Sequence, residues 1–422
     1  MTRGFRAARW AGALSLSVFV LAAPASADEA AAGASSYLPS DVSGLLAPGS
    51  RRYSPGIRAG SFIVLPEARA SLVFDDNVFA KPTNTKSDWY TNVDARVGVV
   101  SNWSRHALEL YAGGGGRFYN DYDSENVGYG DVGIAGRLDI QRDFYVKAYA
   151  GYRYGFEERG SGESFQNFLK PIETQTIGAG ALVHKRFNRL WGEVSGAVRD
   201  EEYFDAKVLL GNIDQSFRNG TAYEATARLG YEISPKTSVF VETSYDTREY
   251  EDSRLDGDGY KVGAGFRYEL TRITSAEAAF GYRSYDPDLP TLRVIDDWYY
   301  RAQLRWDVSP LLTVALVGSR DVGSPSQYAR GSNRINTEAG VRADYAFKRD
   351  ITVHAGFAYG ESEYVDGSRD DDYYRITLGA DYWFRPWLSL WANYSYLDYE
   401  STITPTIDYD RSIVSVGLKT QY

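Results

Sequence analysis

From Phe62 to Tyr422, apolar and polar residues alternate in run after run, and this period of two most constrains what the chain can fold into. Between Trp89 and Val100, Thr91, Val93, Ala95, Val97 and Val99 share one face, while Asn92, Asp94 and Arg96 share the other. Successive side chains of a β-strand point to opposite faces, so the pattern predicts strands. The runs are long: sandwich strands average about five or six residues, whereas these reach about ten or more, near the length that crosses a bilayer at a tilt. The apolar faces are also bracketed by aromatics, with Trp298 and Trp306, Tyr345 and Phe347, and Tyr382 and Phe384 at the ends of their runs. That is the pattern of an interfacial girdle.

The connections alternate in character. Short ones include Ile140 to Asp143, Ser234 to Lys236, Leu270 to Arg272, Ser309 to Leu311, Phe347 to Asp350 and Phe384 to Trp387. Long ones include Glu157 to Ile172, Phe204 to Ser216, Glu249 to Gly259, Asp286 to Val294, Pro325 to Gly331, Tyr364 to Asp371 and Ser401 to Asp408. Short turns on one side and long loops on the other predict an all-β, antiparallel, up-and-down transmembrane barrel, not a Greek-key sandwich. Counting segments gives about 18 strands, or 16 if the first segment or a loop-flanking one is misread. An even count puts both chain ends on the short-turn side, expected to be periplasmic.

Composition agrees. The 422 residues include 34 Tyr, 41 Gly and 9 Trp against 1 Met and 0 Cys, a vocabulary of strands and turns. The mean hydropathy of -0.39 does not exclude a membrane, because only alternate residues of a barrel strand meet lipid. Without cysteine there are no disulfides or thiolate metal sites. Arg3, Arg6 and Arg9 precede an apolar run from Ala11 to Ala23 and then Ala25-Ser26-Ala27, so residues 1–27 read as a secretory signal. Residues 28–60, rich in Ala, Ser, Gly and Pro, read as a periplasmic lead-in, either mobile or plugging the lumen, and residues 61–422 as the barrel. The net charge of -10 deepens once the leader's arginines are removed, which argues against nucleic acid as a partner.

The polar faces should line the lumen. They offer Arg96 and Asp94 on one strand, then Lys147, then Glu193, then Glu224 and Arg228, then Glu242. Further on come Arg267 with Glu269, then Arg301, Arg305 and Asp307, then Glu338 with Arg342, and Arg375 with Asp381. The two signs nearly balance. Tyr111, Tyr145, Tyr149, Trp191 and Trp391 also fall on polar faces. They would either stack on sugar rings, fill space, or lie on the lipid face if a bulge shifts them. Of the three His, His106 and His184 are expected at short turns and His354 in the lumen, which leaves no hydrolytic constellation; no enzyme activity and no cofactor are expected. Asp256-Gly257-Asp258-Gly259 lacks the spacing of a dedicated calcium loop and reads as solvated carboxylates, bridged at most to lipopolysaccharide by divalent ions. The four glycines Gly113 to Gly116 predict a bend or a close backbone approach.

Val414, Val416, Leu418, Thr420 and Tyr422 form one apolar face. It resembles the terminal strand by which the assembly machinery recognises bacterial outer-membrane barrels, so Tyr422, Leu418 and Val416 are the expected signal. Three further segments carry a more specific resemblance: Asp75-Asp76-Asn77-Val78-Phe79, Trp103-Ser104-Arg105-His106-Ala107-Leu108, and His184-Lys185-Arg186-Phe187-Asn188-Arg189-Leu190. They are similar to the β-barrel porin type 2 family, from about Arg58 to Tyr422. The resemblance implies an outer-membrane barrel without a catalytic motif, with lipid and lipopolysaccharide around it and polysaccharide export components as conceivable partners. The expected function is a porin-like channel for small hydrophilic solutes or oligosaccharides; the alternative is a non-conducting accessory barrel of exopolysaccharide or capsule export.

Overall fold

A computed structural model describes residues 56–160, 168–270, 274–323, 333–365, 369–402 and 407–422. The expected signal and most of the lead-in lie outside the described residues, as do Thr271, Arg272, the stretch 325–331 and Asp366. The strands in chain order are β1 (Ile57–Ala59), β2 (Phe62–Asp75), β3 (Asp88–Ser101), β4 (Ala107–Tyr119), β5 (Val127–Gln141), β6 (Phe144–Phe156) and β7 (Glu173–Phe187). They continue with β8 (Leu190–Tyr203), β9 (Ala206–Val208), β10 (Gly211–Ile213), β11 (Gly220–Ser234), β12 (Thr237–Tyr250), β13 (Gly257–Leu270) and β14 (Thr274–Pro287). The last are β15 (Ile295–Ser309), β16 (Leu312–Val322), β17 (Arg334–Lys348), β18 (Ile351–Tyr364), β19 (Asp370–Arg385), β20 (Leu388–Ser401) and β21 (Tyr409–Gln421).

Apart from β1 and the small β9–β10 hairpin, each strand pairs antiparallel with its neighbours in sequence, and β2 pairs with β21 from Glu67↔Gln421 to Asp75↔Ile413. The result is a closed antiparallel barrel of 18 strands, so the larger of the two expected counts holds. Closure leaves no sheet edge, which is the condition for spanning a bilayer, where unpaired backbone groups go unsatisfied. At the seam, the Tyr422 N–H donates to the Pro66 carbonyl at 3.1 Å, and β1 pairs with β2 at Ile57↔Val64 just beyond the end of β21.

The outer surface is apolar because the alternation holds strand after strand. Leu72, Val132, Ile177, Val194, Val241, Phe280 and Leu378 are exposed along the wall, as are Val414, Val416, Leu418 and Tyr422 on β21. Trp298, Trp306, Tyr345, Phe347, Tyr382 and Phe384 flank this band and are exposed too. In water such a surface would be a severe aggregation liability; in lipid it is the solvated face.

On one side of the barrel the chain reverses in turns such as Pro235-Lys236, Pro310-Leu311, Arg349-Asp350 and Pro386-Trp387. In three of these four, proline pre-sets the first turn residue, and a register shift immediately before each turn accommodates the reversal. Both ends of the barrel's chain lie on this side. The long connections all lie on the other, and the one from Phe204 to Asn219 carries the β9–β10 hairpin, where the sequence predicts only a loop. The glycines Gly113 to Gly116 sit inside β4 with unbroken register to both neighbours, so they form no bulge. A β-carbon at Gly115 would fall 2.7 Å from the Tyr129 hydroxyl oxygen, which makes this the close approach and not the bend.

Candidate functional site

The lumen has two distinct regions, a packed mouth at the long-loop end and a charged wall below it. At the mouth, two connections fold inward. The one following β2 begins with Asp76 and Asn77, which bind β21: the Ser412 N–H donates to an Asp76 carboxylate oxygen at 2.7 Å, and Asn77 Nδ2 donates to the Asp410 carbonyl at 2.9 Å. This seats Ala80, fully buried at a φ of 49°, against Leu397, Tyr399 and Tyr409 on the inner faces of β20 and β21. The small side chain is what lets a non-glycine residue occupy that left-handed conformation in so tight a place.

The second connection starts after β6 and reaches the same spot from the far side of the seam. The Tyr409 hydroxyl donates to the Gly160 carbonyl at 2.9 Å. Three ion pairs fix the intervening residues: Arg159 to Glu125 at 2.7 Å, Arg117 to Glu158 at 2.6 Å and Arg218 to Glu157 at 2.5 Å. Glu125, Glu157, Arg117 and Arg159 are all buried. Buried charges are tolerated only when paired and hydrogen-bonded, so these pairs lock the segment Glu157 to Gly160 across the opening. At the seam beside it, Arg411 pairs with the fully buried Asp75.

Around the other half of the mouth, Arg283 pairs with Asp246 and Lys261 with Asp321, while Arg248 reaches from β12 to the end of β16, donating to the Gly323 carbonyl at 2.6 Å and the Val322 carbonyl at 3.1 Å. None of these five residues was singled out from the sequence. Their signal was there, since Lys261 and Arg283 continue the polar faces of their strands; what the sequence lacks is the curvature that brings strands β12 to β16 together.

Below the mouth, the structure places Asp94, Arg96, Lys147, Glu193, Glu224, Arg228, Glu242, Arg267, Glu269, Arg301, Arg305, Asp307, Glu338, Arg342, Arg375 and Asp381 on the faces opposite the exposed apolar rows. It brings Glu193, Arg228, Glu242, Arg267 and Arg301 into one network, completed by Glu277 of β14, which the sequence reading omitted. Others form separate pairs: Arg96 with Asp131 at 2.6 Å, Arg342 with Asp344 at 2.9 Å and Arg305 with Asp307 at 3.5 Å.

The inward aromatics lie against the wall. The Tyr111 ring covers Gly133, where a β-carbon would fall 2.5 Å from it, and the Tyr149 ring covers Gly180 at 2.6 Å. Trp191 lies over Gly230, and Gly417 lies beneath Trp391. Trp191 is only 3% exposed, so it offers a solute almost no free face. One expectation needs correcting: His184 is not at a turn. β7 continues to Phe187 and the turn is only Asn188-Arg189, so His184 faces the lumen, stacked on Tyr145 with centroids 4.6 Å apart and bonded through Nδ1 to Glu193 at 3.0 Å. The run His184-Lys185-Arg186 has the polarity of a turn because it ends a strand whose inner face is polar. The lumen therefore holds two histidines, the other being His354, 3.8 Å from Asp381.

Among the described residues no group of three or more His, Asp or Glu could hold a metal ion. Asp256, in the stretch weighed for calcium, instead accepts the Tyr250 N–H at 2.6 Å and closes its own loop.

No curated protein matches the chain. Among solved structures, the copper transporter OprC is 11% identical, with 87% of this chain and 82% of that one covered at a TM-score of 0.47. A ferric enterobactin receptor mutant, PfeA from Pseudomonas aeruginosa, is 8% identical over 87% and 82% at 0.45, and the siderophore receptor PiuA from Acinetobacter baumannii is 10% identical over 87% and 82% at 0.42. All three scores fall below 0.5, and nothing about this chain's substrate follows from them. The family comparison is of another kind: residues 53–422, the whole barrel, match the model described as Putative beta-barrel porin 2, and the chain belongs to that family.

Proposed function

We propose that the protein is an outer-membrane channel through which small hydrophilic solutes or oligosaccharides diffuse passively, with the short turns in the periplasm and the long loops outside. The observation that carries this reading is the charged wall below the mouth. Side chains such as Arg96, Arg137, Arg305 and Asp381 keep a quarter or so of their surface open to solvent inside a closed barrel. A wall of this many strands is too wide for its own side chains to fill, so water enters and the charges stay hydrated. Membership of a porin family supports the same reading. The infolded mouth then sets which solutes pass.

That same mouth favours a second reading, a barrel that conducts nothing alone and serves polysaccharide export as an accessory. Single-channel recording of the purified, refolded protein in a planar bilayer separates the two. Discrete, ohmic conductance steps are expected; a protein that inserts, resists unfolding in SDS until heated, and yet passes no current would reject the channel.

A further inference from the structure

We infer that Arg228, Arg267 and Arg301 form a lumenal binding site for oxyanions, taking the carboxylate or phosphate groups of a permeating solute. This deepens the channel reading and rests on it, since a site inside the lumen matters only to a solute that enters.

The three arginines stand on alternate strands, β11, β13 and β15, and face Glu193, Glu242 and Glu277. By count the network is neutral. By depth it is not. The carboxylates lie against the wall with side chains 8%, 7% and 3% exposed, whereas the arginine side chains above them are 22%, 21% and 24% exposed. What a solute meets first is guanidinium.

Five of the six carboxylate oxygens are engaged, while most of the guanidinium donors are not. Glu242 Oε1 takes the Tyr299 hydroxyl at 3.0 Å, and its Oε2 takes Arg228 Nε at 2.9 Å and Arg301 Nη2 at 2.7 Å. Glu277 Oε2 takes Arg267 Nε at 2.8 Å, with Arg301 Nη2 3.3 Å from its Oε1. Glu193 Oε1 is held by His184, and the nearest arginine nitrogens are 3.7 and 3.8 Å from its two oxygens, beyond hydrogen-bond range. Each guanidinium carries five N–H donors and commits a single nitrogen to the floor at hydrogen-bond distance. The remaining donors make no hydrogen bond to these carboxylates.

They are also flanked by rings. The Arg267 guanidinium lies 5.2 Å from the Trp191 ring centroid and that of Arg228 lies 5.7 Å from Phe240. Rings at these distances attract the guanidinium charge without using any of its N–H donors. Edge donors in a planar fork are the geometry that takes a carboxylate or phosphate in paired hydrogen bonds. Arg228 and Arg301 both lie within 3.9 Å of Glu277 Oε1, so neighbouring forks can share one anion or hold adjacent acidic groups of a single molecule.

The test is calorimetric titration of the detergent-folded protein at low salt with citrate, with inorganic phosphate, and with neutral maltotriose. Saturable binding of citrate, phosphate or both is expected, and the responding probe identifies the group recognised. Because removing Arg267 alone strands a buried carboxylate, the variant is R267Q/E277Q, which removes donor and acceptor together. It should stay heat-modifiable and lose about tenfold in anion affinity, the worth of one charge-assisted contact. R301K, which keeps charge and loses the fork, should weaken binding as well. No saturable binding to the parent, equal binding of maltotriose, or unchanged affinity in both variants would overturn the site. Binding by a protein that passes no current would keep the site and reject the channel; current without anion binding would do the reverse.

Discussion

Glycine is the residue on which this wall depends, because it makes room for rings. Tyr299, whose hydroxyl holds Glu242, lies over Gly263 and Gly281; Phe240 lies over Gly265; Trp191 lies over Gly230. Each ring sits against a neighbouring strand with no β-carbon in the way, and Arg267 then lies over Trp191 and Arg228 over Phe240. Gly230→Ala should therefore force the Trp191 ring off its seat and cost about 1–3 kcal/mol through overpacking. At Gly178, where a β-carbon would meet nothing nearer than the Val198 carbonyl at 3.9 Å, the same substitution should be close to neutral. Denaturant midpoints of the two variants in detergent decide the matter, and equal losses would contradict it. The abundance of Gly and Tyr is plain in the sequence. Which glycine lies under which ring is not, since it depends on register between strands distant in number from the turn that sets it. The same ignorance hid Glu277 from view: its alternation with Arg283 is legible, its partners Arg267 and Arg301 on the flanking strands and Arg228 three strands away are not.

At the scale of elements, strand number, the alternation of turns and loops, and the faces of the wall apart from His184 could be read, because each follows from a period of two repeated over long runs. The infolded connections could not. Nothing in Asp76 to Ala80 or Glu157 to Gly160 announces which way a loop will fold; it is the pairing of Arg159 with Glu125 that places both in the interior. That pair gives a direct handle on the mouth. Glu125→Gln leaves the Arg159 charge buried and uncompensated, at a cost of about 3–5 kcal/mol, more than the other contacts of so short a segment can be expected to resist. Glu157 to Gly160 should then leave the opening while the strands below stay paired. In bilayer recordings the variant should show larger unitary conductance than the parent and admit larger neutral sugars. Identical conductance and size limit would mean that this segment does not narrow the path.

For the molecule as a whole, the excess negative charge lies outside the wall pairs. Carboxylates gather at the long-loop end, where tyrosine hydroxyls of the outer face donate to them: Tyr374 to Asp398 at 3.0 Å, Tyr154 to Glu173 at 2.7 Å and Tyr282 to Asp296 at 2.5 Å. In the loops themselves the side-chain hydrogen bond from Arg254 holds the Asp252 carboxyl below its usual range, and the backbone N–H of Ser216 does the same for Asp214, so both are ionised at neutral pH. The lumenal network is different in kind, since its three arginines and three glutamates cancel at any distance much larger than their separation. It can grip an anion that touches it and still exert little pull on ions passing through. Permeant-ion selectivity should therefore be set at the mouth, as a weak cation preference. It should fade with salt, because the Debye length falls from about 30 Å at 0.01 M to about 3 Å at 1 M and the loop carboxylates are then screened from the path. Reversal potentials under a salt gradient at low and high ionic strength measure this directly. Strong anion selectivity, or a cation preference that salt leaves unchanged, would place the selecting charges inside the wall and not on the loops.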